Sequence, residues 1–112
     1  MDAYLAGFLF GDGCLHRLSN GAYAVWVDQS AKNSEYIERI IGYMKVYGRV
    51  YRYEYVDRHH NVRKIRTLVY SKILFQELDQ IKKDPLNYME KLDDEDFLRF
   101  VFRTSRLGWN YN

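Results

Sequence analysis

The sequence predicts an α+β domain: a four-stranded antiparallel sheet with helices on one face, in the order αββαββα. Three observations carry this. Two alternating stretches are each broken by a turn signal, as two β-hairpins require. Apolar residues at helical spacing follow each hairpin. The chain also opens with an apolar, glycine-bearing segment that lacks a polar stripe, so it needs cover on nearly every side. With 112 residues, the chain is read as one domain, 1–112, large enough for a core but not for two.

A first helix is expected from Ala3 to Gly11. Cys14 to Leu18 reads as a strand, and Ser19-Asn20-Gly21 as a type I′ hairpin turn, since Asn-Gly accepts positive φ. The second strand, Ala22 to Asp28, puts Tyr23, Val25 and Val27 on one face and Ala24, Trp26 and Asp28 on the other. Asn33 or Ser34 caps a second helix carrying Tyr36, Ile37, Ile40, Ile41 and Met44, ended by Gly48. Arg49 to Arg58 is a third strand, His59-His60-Asn61 a turn, and Val62 to Ser71 a fourth strand. A third helix, Lys72 to Lys82, points Ile73, Leu74, Leu78 and Ile81 inward, and Pro85 breaks the chain after it. Asp93 or Asp94 caps a last helix through Phe97, Leu98, Val101 and Phe102. The tail from Gly108 to Asn112 is expected to be loose.

Hydrophobic residues make up 47% of the chain, enough to fold rather than stay disordered. Its single cysteine, Cys14, rules out a disulfide framework or a cysteine-based metal site. With no long apolar run and no signal-peptide pattern, the protein is expected to be soluble and intracellular, without a membrane partner. The net charge of +2 says little about partners, but its distribution says more. Between Arg49 and Arg66 basic residues interleave with tyrosines and meet only Glu54 and Asp57, whereas Asp79 to Asp96 is mostly acidic. Such a basic, aromatic middle fits a nucleic-acid face, and a solvated sheet surface would carry the same pattern.

Gly7 and Gly11 lie four apart, beside Tyr4 and Phe8. Two helical glycines at that spacing suggest close approach by another backbone. Leu5-Ala6-Gly7-Phe8-Leu9-Phe10-Gly11-Asp12-Gly13 resembles the signature of the LAGLIDADG homing endonucleases, and the element order is similar to that family's fold over nearly the whole chain. The resemblance implies a site-specific double-strand DNA endonuclease that uses Mg²⁺, or another divalent cation such as Mn²⁺, and no small-molecule cofactor. Carried over by position, Asp12 is the metal ligand and Gly11 lends a backbone carbonyl. A carboxylate suits that role, because hard cations take oxygen ligands and activate water. Without the resemblance, Asp12-Gly13 reads as a helix end entering a turn. Where the family often has a second acid, this chain has Phe10.

One acid per chain suits a homodimer, the arrangement of single-motif members of the family. Tyr4, Gly7, Phe8 and Gly11 would then form the contact between subunits rather than core. The resemblance also assigns Gln29 to the attacking water, though a glutamine at a strand end is often simply solvated. A supporting lysine would be Lys72 or Lys64, and the sequence leaves that choice open. His16, His59 and His60 lack the carboxylate spacing of a metal site.

The DNA-facing parity is set as His16 and Asn20 with Cys14; Trp26 with Ala24; Arg49, Tyr51 and Tyr53; and Arg63 and Thr67. The opposite parity gathers Arg52, Glu54, Lys64 and Arg66 with Val50, Val56 and Leu68, and would bury charge. Phe97 to Ser105 echoes the opening motif, with Arg103 and Ser105 at the acidic positions. It reads as an amphipathic helix covering the core, or else as the mark of the first half of a longer two-motif protein. The alternative function is a DNA- or RNA-binding module, a regulator or splicing maturase that has lost cleavage.

Overall fold

The computed structural model describes residues 1–108, with side chains through 102. Trp109 to Asn112, expected to be loose, lie outside the described residues. Gly108, expected to be loose with them, is the last residue of a helix. The elements are α1 (Ala3–Asp12), β1 (Gly13–Arg17), β2 (Tyr23–Ser30), α2 (Ser34–Met44), β3 (Val50–Asp57), β4 (Val62–Tyr70), α3 (Lys72–Lys83), α4 (Pro85–Glu90) and α5 (Asp94–Gly108), with a 3₁₀ turn over Lys45–Tyr47. The expected α+β architecture is present, with two differences. Pro85 starts a short helix instead of only ending one, since a first-turn proline lacks an N–H that needs no partner there. The β1–β2 loop is not type I′: only Gly21 has positive φ, at 90°, and the Asn20 side chain accepts from the Ala22 N–H at 2.9 Å.

The sheet runs β1-β2-β4-β3, all antiparallel. Its helix-side face buries Val25, Val27, Ile65, Thr67 and Val69. Leu5, Phe8 and Leu9 of α1 pack there with Ile40 and Met44 of α2 and Leu74 and Leu78 of α3. Each such side chain contributes about 1.5–3 kcal/mol on burial. Ile73, expected to point inward, is exposed, because Leu74, Leu78 and Ile81 already make up the buried stripe of α3.

The Asp2 carboxylate caps α1, accepting from the Tyr4 N–H at 2.8 Å and the Leu5 N–H at 3.1 Å. Arg99 of α5 holds the same carboxylate with Nη2 at 3.0 and 3.2 Å. α5 therefore docks along α1, and Phe100 enters a niche lined by Ala3, Ala6 and Ile81, with the Phe10 ring 5.7 Å away. Phe100 is the buried residue of α5 and Val101 packs partly buried beside it, while Phe97, Leu98 and Phe102 are exposed. The two alanines leave a hollow that fits one ring, and that contact sets the rotation of the helix.

Candidate active site and nucleic-acid interface

α1 ends at Asp12, and Gly13 turns the chain into β1, its N–H bonded to the Leu9 carbonyl. A Cβ at residue 13 would lie 2.4 Å from that carbonyl oxygen, so glycine permits the tight exit that places Asp12. Gln29, near the end of β2, donates from Nε2 to Asp12 Oδ2 at 2.7 Å. Asn33 in turn donates from Nδ2 to Gln29 Oε1 at 3.2 Å and fixes the amide's orientation. Partial burial pushes the Asp12 carboxyl above its ordinary value; the Gln29 hydrogen bond and the Lys64 charge oppose that rise, while Asp28 adds to it. Lys82 of α3 donates to the carbonyls of Phe10 at 3.4 Å and Gly13 at 3.2 Å, a cation at the negative end of the helix. Gly11 is exposed in the last turn of α1, where carbonyls run out of helical partners.

Of the two candidate lysines, Lys64 is the one whose charge reaches Asp12. Lys72 stands over the Tyr23 ring, 5.7 Å from its centroid. Tyr23 and Gln29 occupy opposite ends of β2, roughly 20 Å apart at the rise of an extended strand. Lys72 is therefore too distant for the role expected of it.

The subunit contact expected at Tyr4, Gly7, Phe8 and Gly11 is corrected in part. Tyr4, Gly7 and Phe8 are buried inside the chain itself, and only Gly11 is exposed. Tyr4 and Phe8 belong to the core above the sheet, and α5 covers the neighbouring Ala3–Ala6 side of α1. Phe10, where the motif departs from the family, faces Phe100 in that helix pair and so serves packing.

The free face of the sheet carries Cys14 and His16 from β1; Ala24, Trp26, Asp28 and Ser30 from β2; Lys64, Arg66, Leu68 and Tyr70 from β4; and Tyr51, Tyr53 and Tyr55 from β3. His16, Trp26, Tyr51 and Tyr53 fall where expected. Arg49, just before β3, lies over the Tyr51 ring, and Asn20 is exposed at the β1–β2 tip. Arg63 and Thr67 do not belong to this face. Thr67 is 2% exposed beneath the sheet, and Arg63 on the same side pairs with Glu54. The cause is the hairpin: Asp57 pairs with Val62 across four residues, so odd positions on β3 meet even positions on β4. The expected three-residue turn would have kept the parity. Lys64 and Arg66 consequently join the basic, aromatic face, and Asp28 neutralises the residue that would otherwise bring the densest charge. Arg66 donates from Nε and Nη2 to the two Asp28 oxygens at 2.8 and 2.9 Å, and Tyr55 Oη donates to Asp28 at 2.9 Å.

Among the described residues no cluster of three or more His, Cys, Asp or Glu side chains could hold a metal ion, and no helix is long and apolar enough to cross a membrane. Asp12 with the Gly11 carbonyl makes an incomplete oxygen set. That fits a magnesium-like ion, which takes one or two carboxylates and fills its shell with water and substrate phosphate.

No family model and no curated protein matches the sequence. Solved structures do match in fold. The homing endonuclease I-DmoI, in mesophilic variants, superposes with a TM-score of 0.61 at 17% identity, over 95% of this chain and 60% of that one. I-DmoI in complex with DNA and Ca gives 0.57 at 16% identity, over 95% and 56%. I-DmoI with nicked target DNA and Mn gives 0.60 at 17%, over 95% and 59%. The chain thus has the homing endonuclease fold expected from the resemblance and spans about 60% of the I-DmoI chains it matches.

Proposed function

We propose that this protein is a site-specific, divalent-metal-dependent DNA endonuclease in which Asp12 holds the cation. The observation that supports this most is the Asp12–Gln29–Asn33 chain of hydrogen bonds. It fixes one carboxylate at the end of a buried helix, within reach of the Lys64 charge on the basic, aromatic sheet face. Asp12 and the Gly11 carbonyl would hold Mg²⁺ or Mn²⁺, which when bound supplies an activated water and neutralises the leaving oxygen. Gln29 orients the carboxylate and leaves one of its oxygens for the ion. The sheet face supplies Trp26, Tyr51, Tyr53, Lys64, Arg66 and Arg49 to the duplex, whose major groove admits a two-stranded ribbon of such a sheet.

Cutting both strands takes a second such acid, and in this reading a second copy of the chain brings it. A direct α1–α1 contact would require α5 to leave the Ala3–Ala6 face. That covered face favours a second reading, a module that binds DNA and cuts only when another half completes the site. Incubating the protein with a plasmid library and Mg²⁺ separates the two. Double-strand cleavage that is lost in Asp12→Asn supports the endonuclease, and sequence-selective binding without cleavage supports the module. Sedimentation on DNA then shows whether one copy or two occupies the duplex.

A further inference from the structure

We infer that Arg66, set at the centre of the free sheet face by Asp28, Trp26 and Tyr55, is a specificity-determining residue that reads a guanine. The inference rests on the DNA-binding part of the proposed function and assigns one base contact within it. Asp28 faces Arg66 directly across the β2–β4 pair, so the ion pair follows from register. Asp28 takes the Nε–Nη2 side of the guanidinium, whose carbon lies 5.0 Å from the Trp26 ring centroid and 5.7 Å from that of Tyr55.

An arginine is flexible, and ordering it on binding costs entropy. Here a carboxylate in the plane and an indole against the guanidinium have already ordered it. Asp28 engages Nε and one N–H of Nη2, and the Arg66 side chain remains 38% exposed. The Nη1–Nη2 edge, which Asp28 does not take, carries two parallel N–H groups, the pattern that pairs with guanine O6 and N7. Beside it, Tyr53, Tyr55, Leu68 and Tyr70 line an open hollow of about 380 Å³, an apolar surface suited to deoxyribose or a thymine methyl. Because Asp28 cancels the charge of Arg66, the pair adds direction rather than phosphate affinity. A lysine in its place would keep charge and lose the two-pronged edge.

The test is selection of the full chain, as wild type, Arg66→Lys and Asp28→Asn, from a randomised duplex library in a Ca²⁺ buffer, with circular dichroism on each protein. The wild type should select guanine at a defined position, and both variants should lose that preference by about 10–100-fold there and nowhere else. In the selected site, replacing that guanine by 7-deazaguanine should weaken wild-type binding and leave Arg66→Lys indifferent, a readout that survives if one variant folds poorly. Folded variants with unchanged preferences overturn the inference and leave a structural ion pair. A uniform loss at all positions overturns it in favour of a phosphate contact. Wild type that selects no sequence overturns it together with the DNA-binding reading. Wild type that selects a site but does not cut it in Mg²⁺ sinks the endonuclease alone.

Discussion

Gln29 donates one hydrogen bond, 2.7 Å long, to the carboxylate of Asp12, and it is the only side chain among the described residues that does so. The bond stabilises the ionised form against burial. Replacing Gln29 with Leu should therefore slow cleavage about 10–100-fold, as losing a partner that orients a metal ligand does, while DNA affinity stays unchanged. The Asp12 carboxyl should rise further, so the acid limb of a cleavage-rate profile should move to higher pH. An unmoved limb would show that Gln29 does not govern the ionisation of Asp12.

Asp12→Asn should abolish cleavage, by on the order of 100-fold or more, without destabilising the fold. The sign follows from the raised carboxyl. The folded chain binds this proton more tightly than the unfolded chain, so Asp12 costs stability as pH rises through and above its folded value, itself above 3.8. At neutral pH the amide should leave the melting temperature equal or up to a few degrees higher. A clear drop on calorimetry would mean that Asp12 is structural.

Asp28 behaves oppositely. Burial pushes its carboxyl up, but the hydrogen bonds from Arg66 and Tyr55 and the charges of Arg66 and Lys64 outweigh that and hold it below the ordinary value. Its contribution is complete above pH 3.8 and is lost as pH falls through the folded value. Asp28→Asn should flatten the acid side of a stability-versus-pH curve measured by urea unfolding. Parallel curves for variant and wild type below about pH 4 would contradict this.

Phe100 is 2% exposed against Ala3 and Ala6. Phe100→Ala should cost about 3–5 kcal/mol in denaturant unfolding. If α5 is what keeps α1 from a second copy, the same change should increase self-association on a sizing column.

Gly13→Ala brings a methyl within 2.4 Å of the Leu9 carbonyl oxygen, a backbone atom that cannot swing aside. A loss of about 1–3 kcal/mol is expected, with cleavage falling further as Asp12 shifts. Stability within a few tenths of a kcal/mol of wild type would show that the turn accommodates a side chain.

The fold was legible because its signals are local. The alternation of β2 and β3, the Leu74–Leu78–Ile81 spacing and the apolar run of α1 each report on a single element. Asp12 could be singled out by position within a resembling motif and Gln29 by its place at the end of the second strand, though nothing in the chain states that they touch. What stayed hidden depends on three-dimensional pairing. Lys72 and Lys64 look alike in sequence, and only strand direction brings the charge of Lys64 to bear on Asp12 and sets Lys72 over Tyr23. The inward edge of α5 rests on two alanines far away in sequence, so the run of Phe97, Leu98, Val101 and Phe102 did not single out Phe100. Lys82, bonded to the end of α1, carried no sequence signal at all.

The two hairpins differ in how they hand on parity. Arg17 pairs with Tyr23 across five residues and keeps it, whereas Asp57 pairs with Val62 across four and inverts it. Inserting or deleting one residue in the second loop would exchange Lys64, Arg66 and Leu68 for Arg63, Ile65 and Thr67 on the outer surface. Ile65, Thr67 and Val69 beneath the sheet resist that slip, since moving them outward would dismantle the core. The outer face can therefore change by substitution along the exposed rows, one side chain at a time, but not by a change in loop length. The same burial that folds the sheet keeps the make-up of its outer face from shifting all at once.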